Sequence, residues 1–417
     1  MASIARKNLF EDIPRFIAAQ AGIMFAVSLV TIQNGILNGF VQSSSIVIDN
    51  SRADIWVASE DMINLELTLP LALEQMLQTR EVEGVEQAEA LIFRSARWRD
   101  PVDNQIHAVT VVGSDPNGEL FSPWNIIAGD RQALKEPYGI MVDESNLESL
   151  RVNQIGDTAT IGGLEARIVG ITTGTQPIVS NKLIFTSLKN ANAYVNARLQ
   201  TRSQCRLEDG DLKCVNTFED RNPATESQIT ESAPKKLDAT SPITFILVRA
   251  EPGQDLQALK RKIEDSVPKV KAYTTEEMSS QTRVYWKKRT GIGFVLSLGA
   301  GVGILVGIIV VGQILYASVA DHIKEFGTLK AMGAPDQMIY GVILEQAWWM
   351  AVLGYIPGMV LCFGVTAWAA ATQGILILIT PWSAIGVFGL TVIMCAGSAF
   401  FAIQKVTRVD PAIVFKA

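Results

Sequence analysis

Histidine and cysteine are scarce in this chain, with two histidines and four cysteines among 417 residues. His107 and His322 are far apart and have no cysteine nearby, which argues against a zinc site of any standard spacing. No metal and no directly bound cofactor is expected. A surplus of positive charge is also missing: the formal net charge is −6 and the pI about 5.2. No basic field of the kind that holds nucleic acid is present, and nucleic acid is excluded as a partner. The dipeptide Gly-Lys never occurs, so the phosphate-cradling G-x-x-x-x-G-K-[ST] loop is absent and ATP is not hydrolysed here by that route. Neither a G-x-S-x-G elbow nor an H-E-x-x-H pair occurs, which leaves a membrane hydrolase without support. A non-catalytic chain is expected.

What the chain has in quantity is apolar sequence, gathered at the N-terminus and in the last third. A membrane-crossing helix needs roughly 20 apolar residues, because 1.5 Å per residue must cover about 30 Å of hydrocarbon. Four segments qualify, at 16–42, 289–320, 339–371 and 383–403. The fold class expected is therefore membrane α-helical, with four transmembrane helices and a large α+β extracytoplasmic domain of two lobes at 43–288. Residues 1–15 carry Arg6, Lys7 and Arg15 ahead of the first run and place the N-terminus inside. A cleaved signal peptide is the competing reading, but its apolar core is usually only about 7–15 residues. Residues 321–338 and the tail 404–417 then lie inside and the 372–382 turn outside. Lys324, Lys330, Lys405, Arg408 and Lys416 obey the positive-inside rule. Lys287, Lys288 and Arg289 do not, and are read as a headgroup anchor beside Tyr285 and Trp286.

Within the large domain, two portions read as strand and helix pieces with apolar spacing of three and four. Leu73, Met76 and Leu77 precede the strand-like AEALIFRSARW; Leu256, Leu259 and Ile263 lie between ITFILV and VKAYT. One-sided helices must cover a sheet, so these pieces form one α+β lobe at about 50–115 and 242–280. A β-rich lobe at about 116–241 is inserted into it, with short glycine-broken strands such as those in GDTATIGGLEARIVGITTG. Residues 216–242 read as a mobile loop. Cys205 and Cys214 flank RLEDGDL and are read as a candidate hairpin-closing disulfide on an oxidising side of the membrane; two free thiols are the alternative. Gly299, Gly303 and Gly307 recur every four residues along the second span. Such a ridge lets another backbone approach closely, through dimerisation or through packing within the chain.

The segment DHIKEFGTLKAMGA, Asp321 to Ala334, carries Ile323, Phe326, Leu329 and Met332 at a spacing of three, while Lys324, Glu325, Thr328 and Lys330 stay polar. Gly333 and Pro335 stop the helix. A short amphipathic helix between two spans can rest on the membrane or dock into a groove of a partner; a simple turn is the plainer reading. The segment resembles the coupling region of FtsX-like permeases of ABC transporters. Their basic-x-basic-Glu-apolar-Gly pattern is met by Lys324, Glu325, Phe326, Gly327, Lys330, Ala331, Met332, Gly333 and Ala334, with His322 where arginine is more usual. A closer likeness is to the DevC group of cyanobacterial export permeases, through ARKNL, ADIWVAS, YWKKRTGIG and ILYASVADHIKEFGTLKAMGA.

The resemblance implies a MacB-type architecture in a bacterial plasma membrane: a homodimer paired with a separate ABC ATPase, which binds the ATP and Mg. It further implies a periplasmic membrane-fusion adaptor and, through it, a TolC-like outer-membrane channel. The ATPase would then engage a coupling helix containing Asp321, His322, Ile323, Lys324, Glu325, Phe326, Gly327, Leu329, Lys330, Met332 and Gly333. Glu345 matches an acidic position common in the family; it is either a functional intramembrane acid or one that snorkels to the interface. Asp410-Pro411-Ala412 resembles the family's terminal element. The function implied is ATP-driven expulsion of an amphiphile such as a glycolipid. An FtsX-like regulator of a cell-wall hydrolase and a lipoprotein-releasing permease of the LolCDE kind are alternatives, and fold does not decide among them.

Overall fold

The computed structural model describes residues 13–178, 180–196, 200–208, 211–219, 233–289, 291–332, 334–373 and 377–407, and over 200–219 the backbone alone. The chain divides into two compact units, 1–41 with 287–417, and 42–286.

The first unit consists of long helices. Among the described residues four are long and apolar enough to cross a membrane: α1 (Ile13–Ser43), then, after the large domain, a helix over Ile292–Asp321, one over Asp336–Gln373 and one over Pro381–Thr407. The last begins where sequence chemistry requires it to. Thr380 caps it, with its Oγ1 accepting the Ser383 amide at 3.2 Å, and Pro381 occupies the first helical position, where its missing N–H costs nothing. Pro357 lies inside the third span and removes one backbone hydrogen bond there. The residues joining the third and fourth spans fold back on α1: the Leu378 amide donates to the Gly35 carbonyl at 3.0 Å.

The second unit starts with the single turn α2 (Ile46–Asp49) and the strands β1 (Ile55–Ser59) and β2 (Leu71–Ala72). Helix α3 (Leu73–Arg80), β3 (Val85–Arg99), β4 (Ile106–Ser114), β5 (Ile126–Gly129) and β6 (Gly139–Asp143) follow. The short α4 (Leu147–Leu150) precedes β7 (Thr158–Ile161), β8 (Leu164–Thr172), β9 (Lys182–Ser187) and α5 (Leu188–Asn196). Next come β10 (Gln200–Glu208), β11 (Asp211–Glu219), β12 (Pro242–Ile243) and β13 (Phe245–Ala250). Helix α6 (Leu256–Ser266), β14 (Val270–Thr274) and α7 (Thr275–Arg289) complete the domain. The remaining helices are then α8 (Ile292–Asp321), α9 (Ile323–Ala331), α10 (Asp336–Gln373) and α11 (Pro381–Thr407).

The two strand–helix–strand pieces read from apolar spacing are α3 leading into β3, and β13–α6–β14. Asp255 caps α6 by accepting the Gln257 amide. Both helices lie over one sheet, whose order is β14-β1-β13-β3-β4-β9-β6-β8-β5, with β7 beside β3 and β8. Pleating sends alternate residues to opposite faces. Ile55, Val57, Ile246 and Val248 join Leu259 and Ile263 in one buried cluster; Trp56, Ala58, Phe245 and Leu247 join Val47, Ile48 and Met278 in another. A sheet covered on both faces has no polar side, which is why β1 is apolar and buried throughout.

The expected lobe boundary near 116 is displaced. Strand β4 was placed with the first lobe, yet it pairs in parallel with β9 of the inserted one. Strand β3 serves both lobes, pairing β13 through Leu91 and β4 from Ile92 to Arg99. Fifteen residues without glycine or proline give this strand no place to break, so the lobes are two ends of a single sheet. A helix the strand reading missed, α5, closes on that sheet: a Cβ on Gly113 would lie 2.2 Å from the Ala191 methyl. Of the loop expected over 216–242, residues 216–219 belong to strand β11 and Pro242 to β12, and residues 220–232 lie outside the described residues.

Candidate functional site: the coupling helix and the clasp around Asp49

Helix α9 covers the segment read as the coupling element. His322 precedes it, with Nδ1 2.9 Å from the Ser318 carbonyl, a contact that requires the proton on Nδ1. Asp321 pairs with Arg15 of α1, joining the start of the first span to the end of the second. The apolar ridge does not lie on one surface. Phe326 is 2% exposed, in the same buried cluster as Val319, Ile339, Val342 and Ile343, whereas Met332 is 72% exposed. Gly327 is buried and Ile323 and Lys330 are half-buried, while Glu325 and Thr328 are exposed. The helix therefore has one face anchored in the bundle by an aromatic ring and another that is open. Gly333 and the side chains of Lys324 and Leu329 lie outside the described residues.

The glycine ridge of α8 faces neighbours within the chain. A Cβ on Gly299 would sit 2.3 Å from Gln33 Nε2, one on Gly303 2.8 Å from Leu29 Cδ2, and one on Gly307 2.4 Å from Met394 Sδ and 3.1 Å from Ala26 Cβ. In lipid, where apolar contact gives little preference for helix over tail, such close approach is what holds spans together. A second seam was missed, although its signal was present in the same four-residue spacing. Gly354 and Gly358 of α10 receive Ile23 and Val27 of α1, and the Ser28 hydroxyl donates to the Gly358 carbonyl at 3.4 Å. Glu345 is half-buried, between exposed Leu344 and buried Gln346.

In the large domain, the residues nearest in sequence to the first and second spans are bound to one another. Asp49 of α2 accepts from Arg283 Nη2 at 2.6 Å, from the Ser279 hydroxyl at 2.5 Å and from the Ser45 hydroxyl at 2.8 Å. Arg283 Nε also donates to Ser45 Oγ at 2.8 Å. Charge-assisted bonds of this length are the strong ones; this pair is about one-third exposed, so water screens part of it. Along α7, Glu277 accepts from Lys260 of α6, from the Thr274 amide at 2.9 Å and from Gln257 at 3.0 Å. Burial alone would raise its pKa, but the Lys260 ammonium and these donors hold it down to about 2. Sequence reasoning missed the whole clasp. Its only signal was a lone acid and a lone arginine flanked by small polar residues, more than two hundred positions apart.

The backbone register sets Cys205 opposite Cys214 in the β10–β11 hairpin; their side chains lie outside the described residues. The other two cysteines, Cys362 and Cys395, are buried and form no disulfide. Among the described residues no group of three or more His, Cys, Asp or Glu could hold a metal ion.

Four helices long and apolar enough to cross a membrane, a mixed sheet inserted between the first two, and a short helix joining the second to the third describe an α-helical membrane protein with one large inserted domain. Residues 17–266 match the family described as the MacB-like periplasmic core domain, and residues 297–411 the FtsX-like permease C-terminal family. The chain belongs to this MacB-like, FtsX-like family of ABC transporter permeases. It is 24% identical over 247 residues to the macrolide export ATP-binding/permease protein MacB of Burkholderia pseudomallei, covering 58% of this chain and 32% of that one. The chain thus spans about a third of the length of that relative. An uncharacterised ABC transporter permease of Mycobacterium bovis is 21% identical over 396 residues, covering 94% and 93% of the two chains. Among solved structures, the periplasmic region of MacB from Actinobacillus actinomycetemcomitans aligns with a TM-score of 0.31 and 9% identity, over 56% of this chain and 94% of that one. The extracellular domain of the noncanonic ABC-type transporter YknZ aligns with a TM-score of 0.30 and 9% identity, over 49% and 90%.

Proposed function

We propose that this chain is the permease subunit of an ATP-driven exporter, works as a homodimer, and converts the motion of a separate ABC ATPase into movement of its periplasmic domain. The observation that carries this reading is the two-faced α9. Phe326 fixes the helix to the bundle, so a push on exposed Glu325, Thr328 and Met332 reaches the spans instead of being lost in a loose loop. Asp321, paired with Arg15, carries the same push to α1. Within the large domain, the Asp49–Arg283 clasp makes α2 and α7 move together. ATP and Mg belong to the partner. The periplasmic domain hands an amphiphile, with a glycolipid as the leading class, to a membrane-fusion adaptor and a TolC-like channel.

The test is co-purification with the ATPase, followed by ATP hydrolysis and export assays. Glu325→Lys, on the open face, is expected to abolish or weaken ATPase binding while the membrane unit stays folded. Phe326→Ala, which loosens α9 from the bundle, is expected to uncouple hydrolysis from export. Unchanged export in both variants removes the coupling role. Recovery of a cell-wall hydrolase and no adaptor reverses the exporter reading in favour of a regulator.

A further inference from the structure

We infer that the turn between β1 and β2 presses three apolar tips, Ile63, Leu67 and Leu69, into the extracytoplasmic surface of the bilayer, which gives the large domain a lipid-binding foot. These side chains are 58%, 46% and 54% exposed. Their exposure is not the looseness of a free loop. Met62 and Leu65 alternate with them and are buried in the cluster that holds Trp56 and Phe245. Asn64, 2% exposed, folds the turn by accepting the Glu66 amide at 2.9 Å and the Leu67 amide at 2.7 Å. A clamped backbone therefore holds apolar groups outward, and an apolar patch of that kind marks a contact.

The position of the turn names its partner. Helix α7 leads toward the second span, and its bonds follow in order along it: the Thr275 amide to the Asp54 carbonyl, the Ser279 hydroxyl to Asp49, Gln281 Nε2 to the Ile63 carbonyl at 3.4 Å, and Arg283 to Ser45. The turn thus lies toward the span end of α7. Val284, 46% exposed, is three residues beyond Gln281 and so on the same helical face. On the other flank, the Ser180 hydroxyl donates to Glu66 at 2.5 Å, and the amide of Ile178, itself 43% exposed, donates at 3.2 Å to the hydroxyl of Ser43, the last residue of α1. Arg15 is the one charge in α1, and the run from Phe16 to Ser43 is about 42 Å long at the helical rise, against about 40–45 Å for a bilayer with its headgroups. Ser43 therefore stands at headgroup level, and the patch tied to it meets lipid. Exposed Glu60, Asp61 and Glu66 accompany the tips, so the contact is made by apolar insertion and not by attraction to anionic headgroups. The foot stands whether or not the chain is an exporter.

Nitroxides at Leu67→Cys, Leu69→Cys and Glu251→Cys test the depth of the turn in the full chain, with its four native cysteines changed to alanine and the protein reconstituted in palmitoyl-oleoyl-phosphatidylcholine nanodiscs. Glu251 is the aqueous control: it is exposed in the turn between β13 and α6, next to Ala250, whose amide donates to Asp54 at the far end of α7. The labels on the turn are expected to collide with oxygen more often than with a water-soluble nickel chelate, and the control label the reverse. Preference for nickel at all three positions overturns the foot. So does shielding from both reagents with dipolar broadening between labels, which makes a second copy of the chain the occupant. The chain with its native cysteines supplies a second measurement. Phosphatidylcholine with a diazirine beside its acyl ester should crosslink to the peptide Glu60–Pro70, and Leu67→Asp combined with Leu69→Asp should abolish that crosslink while labelling of α8 is unchanged. Absence of the crosslink, or its survival in the double variant, also overturns the foot.

Discussion

The large domain uses glycine in two ways and the bundle in one: Gly113 admits the Ala191 methyl, as the bundle's glycines admit their neighbours, while others make turns. In the large domain Gly129 and Gly162 have positive φ and stand where a Cβ would strike backbone carbonyl oxygens at 2.3 Å, so they make turns that no other residue makes without strain. In the bundle Gly303, Gly307, Gly354 and Gly358 are ordinary helical residues whose missing side chains admit a neighbour. The domain is organised by hydrogen bonds and by a sheet covered on both faces; the bundle is organised by the closeness of its helices. A folded lattice of directed bonds tolerates little displacement, whereas packed helices with flexible side chains between them can give.

Substitutions probe that difference, beginning with the largest expected effect. Phe326→Ala removes a ring 2% exposed and should cost about 3 kcal/mol or more, read as loss of hydrogen-exchange protection in α9 and the start of α10. Gly113→Val drives a branched side chain into the rigid Ala191 methyl and should cost about 2–3 kcal/mol by chemical denaturation. Gly307→Val should cost less than Gly113→Val, because one of its neighbours is the flexible Met394 thioether. An equal or larger loss at Gly307 would break the contrast between a stiff domain and a yielding bundle. Asp49→Ala should cost about 1–2 kcal/mol, read as exchange in α2, and the swap of Asp49→Arg with Arg283→Asp should recover part of it.

The smallest effect is electrostatic. Glu277 has its pKa depressed in the fold, so its bonds to Lys260, Thr274 and Gln257 stabilise fully above pH 4.5 and are lost as pH falls through about 2. Exposure limits this contribution to under about 1 kcal/mol. Protection factors at the α6–α7 contact, with the slower intrinsic exchange at low pH divided out, should fall between pH 4.5 and 2, and Glu277→Gln should remove that dependence.

The spans were legible because runs without charge have no other stable home, and the strand–helix pieces because apolar residues three and four apart define one covered face. Apolar spacing says that a helix has a buried side but not what buries it, which is why Phe326 and Met332 read alike from sequence and differ in the fold. The clasp was illegible for a different reason. Asp49 and Arg283 are brought together only by the closing of the whole sheet, and a single charge carries no record of a distant partner. Short glycine-broken strands read as a separate inserted lobe, while the hydrogen-bonded strand β3 pairs with strands of both.

Strand β3 has a mechanical consequence. Fifteen residues at about 3.3 Å each make a strand of about 50 Å, paired with β13 along Val85–Leu91 and with β4 along Ile92–Arg99, with β7 on the other edge at Trp98 and Arg99. Tilting one end of such a strand swings the other through a longer arc, as an oar does about its lock.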